Sequence, residues 1–116
     1  QMKNQDYLEI VKNAMWRVVN EKRVGTASHM KKVGDIEYAG KTGTAQVYNL
    51  DKGKTGTKNL QDHALFISYA PFDKPEVVVT VIVEHGGGGS STAAPIARDI
   101  IEYYMNNKTQ KVAINE

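Results

Sequence analysis

The chain has 116 residues, of which 15 are basic and 13 acidic, giving a formal net charge of +2 at pH 7. This length accommodates one domain with a modest core, and the scattered charges form no basic stripe of the kind that binds nucleic acid. The chain contains no cysteine, which excludes a disulfide framework and a thiolate metal site.

An amphipathic helix is predicted near the N-terminus. We expect Asp6 to be its N-cap, because apolar residues follow at three- and four-residue spacing. These residues are Leu8, Val11, Met15, Val18 and Val19. Lys22 and Arg23 suit the negative pole of the helix dipole, and Gly25 is the expected stop. Trp16 lies at the margin of the stripe, which favours a partly buried packing role over stacking on a ligand.

The polar stretch 26–34 contains Ser28 and Lys31 at the Ser-x-x-Lys spacing of a serine acyl-enzyme nucleophile. In that chemistry the serine opens a buried helix, so that the lysine one turn later can take its proton. Residues 32–35 do not continue an apolar helix, so we interpret the match as chance. His29 has no histidine or carboxylate at metal-ligand spacing, and we expect it on the surface.

The most informative stretch contains Lys41, Thr42, Gly43 and Thr44, embedded among strand-forming residues. A cation, two hydroxyl groups and an unshielded glycine backbone on one short strand can hold a carboxylate. A phosphate-binding P-loop is excluded, because that motif needs a glycine at position 35, which is Asp. The same four letters recur at 54–57, but polar and turn-forming residues surround them, so we predict a loop there.

Two strand-like runs, 63–70 and 76–85, are separated by a proline-bounded turn, which predicts an antiparallel hairpin. The second run is apolar on both pleat faces over 77–83. We therefore expect it to be covered on both sides and central in its sheet, with a neighbouring strand from elsewhere. This run is too short to cross a bilayer, and the N-terminus shows no signal-peptide pattern.

Four glycines at 86–89 lead into a second predicted helix. Ser90, Ser91 or Thr92 can cap this helix, and Pro95 is tolerated in its first turn. Its predicted apolar stripe consists of Ala93, Ala97, Ile100, Ile101 and Tyr104. The glycines lack dinucleotide-binding spacing, so we expect them to let the backbone turn sharply or pass close to the Lys41 strand. We expect 107–116 to be a frayed tail.

The order of these elements carries a resemblance to a known family. Residues 38–47, 62–71 and 81–97 resemble the C-terminal part of the transpeptidase domain of class B penicillin-binding proteins. Within that class the resemblance is greatest to the peptidoglycan D,D-transpeptidases of the elongation type. The resemblance extends over essentially all of 1–116. It implies an α+β fold, with three antiparallel strands flanked by an N-terminal and a C-terminal helix, within one penicillin-binding/β-lactamase-like domain.

The resemblance also implies roles for residues of the Lys41 strand. Thr42 and Thr44 would bind the C-terminal carboxylate of a D-Ala-D-Ala stem peptide or of a β-lactam antibiotic. Lys41 would supply positive charge and link to the two other motifs of the family. Gly43 would leave room for the substrate to pair along the strand, and the backbone N–H of Thr44 would be one of two oxyanion-hole donors. No metal or organic cofactor is implied.

The sequence departs from a complete family member. The family's Ser-x-x-Lys and Ser-x-Asn motifs lie far upstream of this strand, whereas 40 residues precede Lys41 and contain no Ser-x-Asn. We therefore expect a fragment that is inactive alone. The missing N-terminal part would supply the nucleophile and a membrane anchor.

For the whole protein, the resemblance implies the periplasmic face of a bacterial inner membrane and partners in the cell-elongation machinery. Two alternatives stay open. One is a serine β-lactamase or penicillin-sensor domain of the same fold. The other is a non-catalytic binding module in which Lys41 is a solvated strand charge.

Overall fold

The computed structural model describes residues 4–47 and 61–114, with side chains as far as 108. The elements are α1 (Gln5–Asn20), β1 (Ala39–Ala45), β2 (His63–Ala70), β3 (Val77–Val83), a π-helical turn (Gly89–Ala93) and α2 (Ala94–Ile114). The strands form one antiparallel sheet in the order β1-β2-β3, which confirms the predicted α+β fold and hairpin. The loop predicted at 54–57 lies outside the described residues. No described helix is both long and apolar enough to span a membrane.

The N-cap of helix α1 lies two residues before the predicted cap. Asn4 is the N-cap, and its Oδ1 accepts a hydrogen bond from the backbone N–H of Asp6 at 2.9 Å. The prediction of Asp6 as the cap is wrong, because Asn4 already offers the side-chain oxygen that the first turn needs. Asp6 lies in that first turn, where its charge suits the positive end of the helix dipole. The prediction of Gly25 as the stop is wrong, because the helix ends at Asn20 with Glu21 as its C-cap and Gly25 lies in the turn that follows.

The buried side of α1 is narrower than the predicted stripe. Val19 is buried, but Val11 is 48% exposed, so the prediction is wrong for Val11. Trp16 is half-buried, its ring centroid lies 6.3 Å from that of Phe72, and its Nε1–H donates to Glu37 Oε2 at 3.1 Å. These contacts confirm a packing role for Trp16.

Strand β2, and not β3, is the central strand of the described sheet. Val79 of β3 is buried, whereas Val78 and Ile82 are 67% and 64% exposed. The expectation that β3 is central and covered on both faces is therefore wrong for the described part of the chain. A doubly apolar run indicates a strand that can be buried, but it does not specify what covers the second face.

One face of the sheet carries the core. Alternate residues of β2 point towards α2 and are fully or almost fully buried: Ala64, Phe66, Ser68 and Ala70. The Ser68 hydroxyl donates to the carbonyl oxygen of Val79 at 3.2 Å, so this buried polar group is satisfied. The Phe66 ring occupies the space that a side chain at Gly40 would need. Gly40 thus lets β1 lie close beneath an aromatic core residue.

The second helical segment begins with the π-helical turn, whose N-cap Gly88 offers no side chain. The prediction of a Ser or Thr cap is wrong, because Ser91 and Thr92 lie inside the turn and donate backwards to the carbonyls of Gly88 and Gly86, at 3.2 and 2.7 Å. The resulting rotation buries Ala93, Ala94, Ala97, Ile101 and Met105.

Two residues of the predicted second stripe face outwards, since Ile100 and Tyr104 are 44% and 39% exposed. Helix α2 continues through Ile114, into the stretch 107–116, whose fraying stays a prediction. Arg98 ties this helix to the segment before β1. Its guanidinium donates to the carbonyls of Lys31 and Lys32 at 3.3 and 3.0 Å, and it pairs with Glu102 on its own helix.

Candidate functional site

All four residues of the predicted carboxylate-binding motif lie in β1. This strand is an edge of the sheet, because within the described residues it pairs only with β2. The outer row of backbone N–H and C=O groups on an edge strand is available to an extended ligand, which can add as a further strand. Within the described residues, the structure therefore leaves the outer edge of β1 unpaired at the position of the motif.

The motif divides between the two faces of β1. Thr42 and Thr44 lie opposite Phe66 and Ala64 in the register, on the face that carries the core. Thr42 is half-buried and Thr44 is exposed. The side chain of Lys41 leaves the other face. The two hydroxyl groups thus share one side of the strand and the cation starts from the opposite side.

The Lys41 ammonium group folds back along its own strand. Its Nζ donates to the backbone carbonyl of Thr42 at 2.6 Å, and the side chain is exposed. Within the described residues, none of the ion pairs involves Lys41. Its positive charge is therefore not neutralised by a carboxylate of this part of the chain, and it remains available to an anionic ligand.

A contact that the sequence did not indicate joins the turn after α1 to the motif. The hydroxyl oxygens of Thr26 and Thr42 are 3.1 Å apart, which is hydrogen-bond distance. Thr26 lies 16 residues upstream in a polar stretch whose pattern is typical of a loop. Nothing in that pattern distinguishes Thr26 from its neighbours, because the contact depends on how α1 packs beside β1.

The glycine-rich segment both turns sharply and passes close to β1, the two alternatives expected from the sequence. Gly87 has a φ of +78°, which turns the chain sharply. Gly89 is buried, and a Cβ added to it would lie 2.5 Å from the carbonyl oxygen of Gly43 and 3.0 Å from its nitrogen. The turn and the strand therefore meet backbone to backbone, at the residue that precedes Thr44.

Two histidines fix the entry to this turn. The backbone N–H of His85 donates to Nδ1 of His63 at 2.9 Å, and the two rings meet edge to face with centroids 4.9 Å apart. His63 accepts at Nδ1, so its ring proton is on Nε2 in this arrangement. The pair holds the end of the β2-β3 hairpin beside the motif strand.

The structure agrees with two further interpretations of the sequence, that Ser28 matches a nucleophile motif by chance and that His29 is a surface residue. Ser28 lies in a turn and opens no helix, and its hydroxyl is 3.5 Å from the carbonyl of Lys22. His29 is exposed. Among the described residues, no cluster of three or more histidine or acidic side chains could hold a metal ion.

An edge strand with this motif, backed by a glycine turn and a C-terminal helix, defines the class to which the chain belongs. Residues 1–102 match the penicillin binding protein transpeptidase domain, and the chain is a member of that family. The resemblance inferred from the sequence is thereby confirmed.

Particular relatives narrow the assignment within the family. The chain is 46% identical over 111 residues to the peptidoglycan D,D-transpeptidase MrdA of Haemophilus influenzae, covering 90% of this chain and 17% of the relative. It is similar to penicillin-binding protein 2 of Pseudomonas aeruginosa in complex with WCK 5153, with a TM-score of 0.72, 33% identity, and coverage of 90% of this chain and 21% of that chain.

A third relative is the complex between penicillin-binding protein 2 and MreC from Helicobacter pylori. It gives a TM-score of 0.67 at 29% identity and covers 97% of this chain and 18% of the other. The chain thus spans about a fifth or less of the H. influenzae and H. pylori relatives, and it matches the C-terminal part of the domain.

Proposed function

We propose that the whole protein containing this chain is a peptidoglycan D,D-transpeptidase, which cross-links D-Ala-D-Ala stem peptides by serine acyl transfer and is acylated by β-lactams. The observation that carries this proposal is the placement of Lys41, Thr42 and Thr44 on an edge strand, in a chain of the penicillin-binding transpeptidase family. The chain itself supplies one wall of the site.

The wall binds the ligand through its carboxylate. Hydrogen bonds to a charged acceptor are about twice as strong as neutral ones, and Thr42 and Thr44 place two hydroxyl donors on one side of β1. The uncompensated ammonium group of Lys41 adds attraction for the same anion. Gly43 has no side chain, so the stem peptide can lie along the outer edge of the strand.

The same strand contributes to the chemical step. A serine outside this chain attacks the carbonyl carbon of the penultimate D-alanine, and D-alanine leaves. An amine of a second stem peptide then attacks the acyl-serine ester and releases the serine. The backbone N–H of Thr44 stabilises the oxyanion of each tetrahedral intermediate, a contribution of about 3 kcal/mol for a donor of this kind.

We place the nucleophile outside the chain because the described serines do not suit the role. Ser28 lies in a turn, and Ser68 is fully buried and donates to a core carbonyl. Ser90 and Ser91 lie in the π-helical turn, but alanine stands three residues after each of them. None of the four serines therefore opens a helix with a lysine one turn later. The 116 residues alone should therefore not react with a β-lactam.

The proposal extends to the setting of the whole protein. We expect it at the periplasmic face of a bacterial inner membrane, held by an anchor outside this chain, in the cell-elongation machinery. The solved complex of the H. pylori relative with MreC supports a partner of this kind. The reaction requires no cofactor.

The test is cross-linking by the whole protein. It is incubated with a D-Ala-D-Ala stem peptide carrying a free acceptor amine, and mass spectrometry follows D-alanine release and the joined product. Lys41→Ala should slow formation of the product at least roughly tenfold, whereas Lys74→Ala, at an exposed lysine in the turn between β2 and β3, should leave the rate unchanged. Hydrolysis of penicillin without cross-linking would favour a β-lactamase. A folded protein that does neither would favour a binding module.

A further inference from the structure

We infer that Thr26 is a positioning residue for carboxylate binding: it donates its hydroxyl proton to Thr42 and so leaves the Thr42 proton free for the ligand. This inference rests on the proposed function of β1. Its basis is the 3.1 Å separation between the Thr26 and Thr42 hydroxyl oxygens, which bridges two segments 16 residues apart in sequence.

The direction of this hydrogen bond decides what Thr42 can do. Each hydroxyl group has one proton and can accept through its lone pairs. If Thr42 donated to Thr26, it would have no proton left for a carboxylate. If Thr26 donates, the Thr42 oxygen is satisfied as an acceptor and its own proton can be given to the ligand. An anion beside Thr42 favours the second arrangement, because the hydrogen bond from Thr42 to a charged acceptor is stronger than one from Thr42 to the neutral Thr26 hydroxyl.

The backbone on both sides of Thr26 is fixed. Gly25 donates to the carbonyl of Glu21 at 2.8 Å, and a Cβ added to Gly25 would lie 2.6 Å from the carbonyl oxygen of Val18. Ala27 is fully buried and donates to that same Val18 carbonyl at 2.9 Å. Thr26 is therefore presented to β1 from a turn that is anchored to the last turn of α1, and its hydroxyl needs little ordering when a ligand arrives.

The two threonines of the motif differ in this respect. Thr42 is half-buried and has the Thr26 partner, whereas Thr44 is exposed and its hydroxyl makes no hydrogen bond within the described part of the chain. Pre-organisation of a donor lowers the cost of binding. Thr26 thus makes Thr42 the oriented donor of the pair, and Thr44 remains adjustable.

The experiment measures acylation of the whole protein by benzylpenicillin and by its methyl ester, which lacks the carboxylate. The variants are Thr26→Val, which keeps the shape and removes the hydroxyl, Thr26→Ser, which keeps the hydroxyl, and Thr42→Val as a reference. We expect Thr26→Val to lower the second-order rate constant for benzylpenicillin by roughly tenfold, the effect of one lost hydrogen bond. The rate with the methyl ester should stay within about twofold, and Thr26→Ser should retain most of the wild-type rate.

Several results would overturn the inference. An equal loss with both reagents would show that Thr26 only supports the fold, and unchanged rates with both would show that it does nothing for binding. If Thr26→Val does not fold, Thr26→Ala and Thr26→Ser allow the same comparison, since Thr26 is exposed. A wild-type protein that benzylpenicillin does not acylate would refute the proposed function. If wild type is acylated and Thr26→Val reacts at the same rate, only the role of Thr26 is refuted and the proposed function stands.

Discussion

The backbone of Gly89 lies against the backbone of Gly43, so closely that a Cβ on Gly89 would be 2.5 Å from the Gly43 carbonyl oxygen. This contact connects the turn before α2 with the strand that carries the motif. Both partners are backbone atoms, and neither can move without displacing its whole segment. The position of β1 thus depends on a residue 46 positions downstream that has no functional group.

The first prediction follows from this contact. Gly89→Ala should destabilise the whole protein by about 1–3 kcal/mol, the usual cost of forcing an extra carbon into a packed site. It should also slow acylation by penicillin, because the added Cβ would meet the backbone oxygens of both Leu65 in β2, at 2.4 Å, and Gly43 in β1, at 2.5 Å, so that both strands would be displaced. Gly88→Ala is the matched control, since its added Cβ would meet only the side chain of Ser91, whose Oγ at 2.9 Å can rotate away. Urea denaturation and acylation rates measure both effects, and equal behaviour of the two variants would contradict the account.

The second prediction concerns Tyr38, which is 3% exposed and whose hydroxyl has no hydrogen-bond partner within the described residues. Burial raises the pKa of Tyr38 to about 12. In the unfolded chain its pKa is about 10. The unfolded state therefore loses the proton first as pH rises. The free energy of unfolding does not depend on this group below about pH 10, and it falls between about pH 10 and 12 by up to about 2–3 kcal/mol.

Tyr38→Phe should reduce the alkaline loss to the part that comes from Tyr69, whose pKa is also raised by burial. It should leave the free energy of unfolding at pH 7 unchanged or slightly higher, because no hydrogen bond is given up. Tyr103→Phe is the control, at a tyrosine that is 73% exposed, and it should keep the wild-type pH dependence. Denaturant unfolding at several pH values between 8 and 11 measures the difference. A parallel decline of wild type and Tyr38→Phe would show that burial of Tyr38 does not set it.

The third prediction concerns the face of β3 that the described residues leave exposed. Val78 and Ile82 are 67% and 64% exposed on an edge strand of the described sheet, a combination that promotes association. The 116 residues alone should therefore self-associate, and Val78→Lys with Ile82→Lys should raise the monomer fraction. Light scattering after gel filtration measures this. Tyr7→Lys with Ile10→Lys, at similarly exposed residues of α1, should change it less; a monomeric wild type would contradict the prediction.

Much of the fold is readable from the sequence, because local patterns determine it. The strand of the motif, the hairpin and both helices follow from periodicity and turn residues. The errors arise where two nearby residues are equally suited to one structural role, or where packing against distant residues determines which of them takes it. Asn4 and Asp6 can both cap α1, and Ile100 and Ile101 can both face inwards until the π-helical turn sets the rotation of α2.

The candidate site, like the fold, can be predicted from the sequence only where a local pattern marks its residues. The residue types at 41–44 indicate carboxylate binding without any structure, and the family resemblance gives them roles. Thr26 carries no local signal, because its contact with Thr42 depends on the packing of the turn after α1 against β1. The apolar run of β3 shows that the strand can be buried on both faces, but the residues themselves do not identify what lies against it.

The central claim is that β1 binds the carboxylate of a ligand that acylates a serine elsewhere in the whole protein. Intact-mass spectrometry after treatment with benzylpenicillin tests it most directly, on wild type, Lys41→Ala and Thr44→Val. Thr80→Val is the control, at an exposed strand threonine outside the motif. We expect one penicilloyl adduct on wild type and Thr80→Val, on a serine outside these 116 residues, and acylation at least roughly tenfold slower in the two motif variants. Wild-type rates in Lys41→Ala and Thr44→Val, or an adduct on Ser28, would contradict the claim.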